Sequence, residues 1–179
     1  MFRTLRRSVE RRKAEDTLDQ ASIPIDFVGI LVRLLLAAVG GAILGANREL
    51  AGKPAGLRTH ALVGIGACLF TIIGLLVAAE PTLDLAAPGR IVQGVIAGVG
   101  FIGAGAIFRR EGARVGAGLG YGLTTAASIW IVAAVGTAAG AGLWRTALAG
   151  TGVGILILLL EDPLARLSQK ISDKASDGQ

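Results

Sequence analysis

The sequence predicts an all-α membrane protein: about five transmembrane helices in a glycine-rich, tightly packed bundle. Three observations predict it. Hydrophobic residues make up 53% of the 179 positions and charged residues only 17%, with a mean hydropathy of +0.65, more apolar surface than a monomeric globule covers with polar groups. Five apolar stretches are each close to the ~20 residues that a helix needs to cross hydrocarbon. The 27 glycines suit helices in lipid, where close backbone approach through small residues replaces the hydrophobic effect as the source of association.

Residues 1–24 form a polar, basic tail, with Arg6/Glu10 and Arg11/Glu15 at helical i,i+4 spacing. No apolar run directly follows a short charged start, so the tail does not read as a secretory signal. The transmembrane domain follows over 25–160, and 161–179 reads as a polar C-terminal tail. The first span, Ile25 to Ala46, carries Arg33 well inside it, where a central charge costs ~2.5 kcal/mol or more unless it is satisfied. Asp26 lies seven residues earlier on the same face and is the expected partner.

Five ionisable side chains crowd the connection Asn47-Arg48-Glu49 through Lys53-Pro54 to Arg58-Thr59-His60. Pro54 and its flanking glycines make it a turn. Its cations suit solvent, an anionic headgroup or a partner, and Glu49 is open to pairing with Arg48 or Arg58 or to meeting a hydrated Mg²⁺ ion. The second span, Ala61 to Ala79, holds Cys68 as a small packing residue. A lone cysteine and a single histidine supply neither a disulfide framework nor a usual zinc site, and His60 is expected as a polar residue at a helix end. Pro88-Gly89-Arg90 opens the third span, Ile91 to Phe108, with Gln93 just inside.

That span contains Gly98-Val-Gly-Phe-Ile-Gly103, a match to the dinucleotide-binding pattern. The pattern sits mid-span with no acid between Gly112 and Leu160, so nucleotide binding is not expected. Two readings remain for it: close packing through Gly94, Gly98, Gly100, Gly103 and Gly105, or a helix interrupted at Gly100 to Gly105. Gly41 and Gly45, like Gly94 and Gly98, are four apart on one helical face and are expected at helix contacts. The fourth span, about Gly122 to Ala139, opens with Thr124, Thr125 and Ser128, whose hydroxyls bond across helices or to their own backbone. Trp130 is expected to pack, and Trp144 beside Arg145 to sit in the interfacial belt of the fifth span, Leu143 to Leu160.

Taken together, Arg48-Glu49, Lys53-Pro54-Ala-Gly-Leu-Arg58-Thr59-His60, Pro88-Gly-Arg90-Ile, Gly98-Val-Gly-Phe-Ile-Gly-Ala-Gly105 and Gly122-Leu-Thr-Thr-Ala-Ala-Ser-Ile-Trp130 resemble the MgtC/SapB family of bacterial inner-membrane proteins, over roughly Leu31 to Leu148. The resemblance implies a multi-pass plasma-membrane protein linked to magnesium homeostasis and growth at low magnesium and, in pathogens, to survival inside host cells. Some members are called magnesium transport proteins; one acts as a regulator on the membrane ATP synthase. Three departures stand out. Asn47 replaces a frequent acid, a glycine-rich insert spans Gly116 to Tyr121, and the sequence reaches Gln179 without the soluble ACT-like domain that many members carry, so sensing by that route is not expected.

The eighteen Lys and Arg residues divide evenly between the two sides of a five-span topology, so the positive-inside rule does not decide by total. The basic tail favours a cytoplasmic N-terminus, whereas the short cationic loops and the resemblance favour a cytoplasmic C-terminus. The pI near 10.1 comes from scattered cations without interleaved aromatics, which suits lipid headgroups and not nucleic acid.

An enzyme is not expected, because no nucleophile-and-base pair and no acidic metal cluster is readable; neither is a bound metal or cofactor. The candidate polar cluster is Arg33, Arg48, Glu49, Lys53, Arg58, Thr59, Arg90, Gln93, Thr124 and Thr125. The favoured function is regulation of another membrane complex, the ATP synthase by resemblance, with self-association left open by the small-residue faces. The alternative is a Mg²⁺ or small-solute transporter. Against it stands the scarcity of intramembrane carboxylates, which cation paths normally show.

Overall fold

The computed structural model describes residues 25–78, 86–108 and 122–176, with side chains as far as 160 apart from those of 87 and 108. The N-terminal tail and the insert from Gly116 to Tyr121 lie outside the described residues. Five helices follow one another: α1 Phe27–Leu50, α2 Leu57–Ala78, α3 Ala87–Phe108, α4 Leu123–Gly140 and α5 Trp144–Ser176. The first four are long and apolar enough to cross a membrane, while the apolar part of α5, Trp144–Leu160, is shorter. At 1.5 Å per residue, the 24 residues of α1 reach about 36 Å, more than the ~30 Å of hydrocarbon. The chain is a multi-pass membrane protein in contact with the bilayer. Through 161–176, expected as a polar tail, the backbone of α5 stays helical.

The sequence punctuates the helices where the backbone requires it. Asp26 caps α1, its carboxylate accepting from the Gly29 amide at 2.9 Å. At the far end Gly52 takes φ +64°. There its N–H donates to Glu49 O at 3.0 Å and Lys53 N–H to Arg48 O at 2.9 Å, the paired bonds of a Schellman cap. The α4–α5 turn repeats the device: Gly142 has φ +77°, its N–H donates to Ala139 O at 2.9 Å, and Leu143 N–H donates to Ala138 O at 2.8 Å. A β-carbon at either glycine would be strained by the left-handed backbone.

Helices α1, α2 and α4 form the centre and meet through glycine. A β-carbon on Gly41 would lie 2.6 Å from His60 O, on Gly45 2.8 Å from Gly56 O, on Gly64 2.7 Å from Ala37 O, and on Gly140 2.6 Å from Cys68 O; on Gly136 it would collide with Gly64 O. Each obstacle is backbone, so these positions fix how closely the helices approach. Around them pack Ala37, Cys68, Ile72, Val135 and Ala139, all buried. Helix α5 packs on α1 and α4, and α3 on α2 and α4.

Helix α3 departs from expectation. It is continuous through Gly100 to Gly105, so no break exposes carbonyls there. Nor do its glycines make the expected close packing: among the described residues nothing lies within 4 Å of a β-carbon built on Gly94, Gly98, Gly100 or Gly105, and Gly103 meets Ala126 at an ordinary 3.5 Å. The reason is geometric. Most of this helix's glycine face turns away from the α1–α2–α4 centre. Trp130, expected to pack, is 46% exposed on α4 and lines a cavity of about 420 Å³ beside α3.

Candidate functional site

The helix packing divides the candidate polar residues between the two ends of the bundle. Helix α1 runs antiparallel to α4, so its start meets the end of α4 and its end meets the start of α4. Arg33, Arg90 and Gln93 therefore stand toward the end where α1 and α3 begin. Arg48, Glu49, Lys53, Arg58, Thr59, Thr124 and Thr125 gather toward the other. One continuous cluster is not formed.

At the first end the expected Asp26–Arg33 pair is absent. Asp26 is engaged as a cap, and the Arg33 guanidinium instead donates through Nη1 to Gly140 O at 2.7 Å. That carbonyl belongs to the last turn of α4, where acceptors lack intrahelical donors and the helix dipole is negative. The guanidinium also lies against Gly142, where a β-carbon would be 3.1 Å from Nη2. Arg33 thus ties α1 to the turn that joins α4 to α5.

At the second end the candidate cluster included Arg48 and Thr125 but left out His60 and Ser128, which are buried beside them. Arg48 and His60 are both fully buried, and so is Thr125. Arg48 Nη2 donates to Thr125 Oγ1 at 3.3 Å. His60 Nδ1 lies 3.0 Å from Gly56 O; a carbonyl only accepts, so Nδ1 carries the hydrogen. Its Nε2 is 2.9 Å from Ser128 Oγ, and the same hydroxyl donates to Thr125 O at 2.7 Å. Ser128 has one proton to share between the ring and the carbonyl. A polar bridge therefore links α1, α2 and α4 inside the bundle. His60 sits where a helix-end polar residue was expected, yet its ring turns inward because Gly41 and Gly45 bring α1 onto that part of α2. The signal that finds it is Gly45 fifteen residues before His60, an antiparallel register across a short turn.

Glu49 accepts from the Leu57 amide at 2.8 Å and so caps α2. It is exposed, as are Arg58, Arg90 and Gln93, while Lys53, Thr59 and Thr124 are half-buried. Thr71 and Thr151 return their hydroxyls to Ala67 O and Ala147 O one turn earlier. Arg145 stacks on Trp144 at 5.0 Å from the ring centroid. Among the described residues no three His, Cys, Asp or Glu side chains come together.

A multi-pass α-helical bundle with polar bridges at both ends, one of them buried, defines the class. The chain belongs to the MgtC family, whose model matches residues 34–167. It is 46% identical over 136 residues to SrpB of Synechococcus elongatus, covering 74% of this chain and 75% of SrpB. YhiD of Escherichia coli K12, whose name makes it a candidate magnesium transporter, is 42% identical over 131 residues, 72% of this chain and 58% of YhiD. MgtC of Salmonella typhimurium is 39% identical over 142 residues, 79% of this chain and 55% of MgtC. The chain thus spans little more than half the length of the last two. No solved structure matches it.

Proposed function

We propose that the chain is a non-enzymatic membrane protein of magnesium homeostasis, seated in the bacterial inner membrane, that regulates another membrane complex. The magnesium link rests on its family and on the name of YhiD. The observation that carries regulation over transport is the closed centre. Between the two polar ends, Ala37, Gly64 and Gly136 bring three helices into backbone contact. An ion path through α1, α2 and α4 has no room there without separating them. The buried polar groups act as ties between helices, and the exposed Leu50, Leu57 and Arg58 at one boundary offer a face for a membrane partner. The ATP synthase, which the family resemblance names, is the first partner to test.

The experiment pairs growth at low magnesium with flux. Arg58→Ala is expected to remove growth support while membrane abundance stays at the wild-type level, and folded protein in liposomes is expected to pass no Mg²⁺ to a trapped indicator. Saturable Mg²⁺ entry lost in Arg58→Ala overturns regulation in favour of transport.

A further inference from the structure

The open glycine face of α3 is one wall of a groove of about 800 Å³ between α2 and α3, within the roughly 300–1,000 Å³ of ligand pockets. Gly66, Gly94 and Gly98 floor it, and Leu62, Phe70 and Ile102 wall it. The polar side chains that line it are Thr59 toward one end and Arg90 toward the other. Lipid is the medium at this depth, and an apolar groove there is filled by hydrocarbon.

We propose that the groove holds an acyl chain of an anionic phospholipid, with the lipid phosphate on Arg90. Arg90 stands in the first turn of α3, level with the headgroups. From it to Ile102 the helix rises about 18 Å, against about 15 Å for half the hydrocarbon core, so a chain hung from Arg90 runs down the groove past Gly94 and Gly98. The guanidinium has five N–H donors, enough for a bidentate phosphate alongside another partner. The positive end of α3 adds to the attraction, and basic pockets between transmembrane helices are a recurring headgroup site. A second copy of this chain fits the charge less well: among the residues with described side chains its carboxylates, Asp26 and Glu49, are both engaged as helix caps. The inference is independent of the choice between regulation and transport.

Native mass spectrometry of the detergent-purified full chain tests it, with added palmitoyl-oleoyl phosphatidylglycerol and the matching phosphatidylcholine as probes. Wild type is expected to retain the anionic lipid preferentially. Arg90→Gln is expected to lose about fivefold of that preference, the weight of one arginine at an anionic surface; Arg58→Gln, at the opposite boundary, is expected to keep it. Gly98→Leu fills the groove and is expected to lose both lipids with its helical content kept and its melting temperature not lowered, since a β-carbon there meets nothing. Equal retention of the two lipids by wild type, unchanged preference in Arg90→Gln, or efficient cross-linking of Gly98→Cys to a second copy in native membranes overturns the proposal.

Discussion

Gly136→Ala against Gly98→Ala isolates the close helix contact from every other effect of adding a methyl group. Both glycines are in helix interiors, so both variants share the helix-propensity gain of up to ~1 kcal/mol. They differ in what the methyl meets. At Gly98 it meets nothing among the described residues; at Gly136 it collides with Gly64 O and lies 3.0 Å from both Gly64 C and Cα. Carbon contacts are optimal near 3.5–4.0 Å, so α2 and α4 must part by about 0.5 Å or more, and a gap of that size forfeits a quarter or more of each dispersion well along the seam. Every obstructing atom is backbone, and Gly64 is itself held against Ala37 O, so no rotamer change relieves the clash. Overpacking of this kind costs ~1–3 kcal/mol. After the shared propensity gain cancels, Gly136→Ala is expected to be less stable than Gly98→Ala by that amount, roughly fivefold to over a hundredfold in the folded-to-unfolded ratio. Unfolding in mixed micelles by added SDS, followed by tryptophan fluorescence, reads the difference. Equal stability of the two variants refutes the α2–α4 backbone contact.

Substitutions at three positions probe the ties at the ends of the bundle. His60→Phe keeps ring volume but removes the ring's bonds to Ser128 Oγ and Gly56 O, which retain Thr125 O and the residue-60 amide as partners, and is expected to cost roughly 1 kcal/mol in the same unfolding assay. Arg33→Met removes the donor to Gly140 O and is expected to speed amide exchange at the end of α4 and start of α5 without changing exchange at the Gly52 turn, read by hydrogen–deuterium exchange mass spectrometry. Glu49→Ala removes the cap of α2 and is expected to lose about 0.5–2 kcal/mol, whereas Glu49→Gln, which keeps an acceptor, is expected to lose less.

The helices and the two described turns were readable because each has a local cause. Apolar runs of membrane length give α1 to α4, Gly52 beside Pro54 gives the first turn, and Gly140 to Gly142 gives the last. The partner of each face was not readable. Gly41 and Gly45 have the same spacing as Gly94 and Gly98, yet the first pair lies against α2 and the second faces a groove. Spacing places residues on one side of a helix and carries no information about what stands opposite. Trp130 failed for the same reason, since depth in the span does not say whether a ring points inward. Arg33 failed differently. Its sequence neighbour Asp26 was available, but the Gly29 amide took that carboxylate as a cap, and the C-terminal end of a distant helix, 107 residues away, supplied the acceptor instead.

That substitution of a helix terminus for a carboxylate changes what an intramembrane arginine signifies in this fold. A charge within a span ordinarily points to a solute path or an ion pair. Here Arg33 satisfies the end of α4, and Arg48, in the last turn of α1, reaches the first turn of α4 through Thr125. The two arginines therefore hold α1 to opposite ends of the same helix, with the glycine contacts of the centre between them. Pinning both ends resists tilting of α1 against α4, the movement that opening the centre requires. In a bundle so tied, removing either arginine loosens the centre before it alters any solute site. Loss of activity in an Arg33 or Arg48 variant then identifies a transport residue only if the Gly136→Ala variant, which loosens the same centre without touching a charge, keeps that activity.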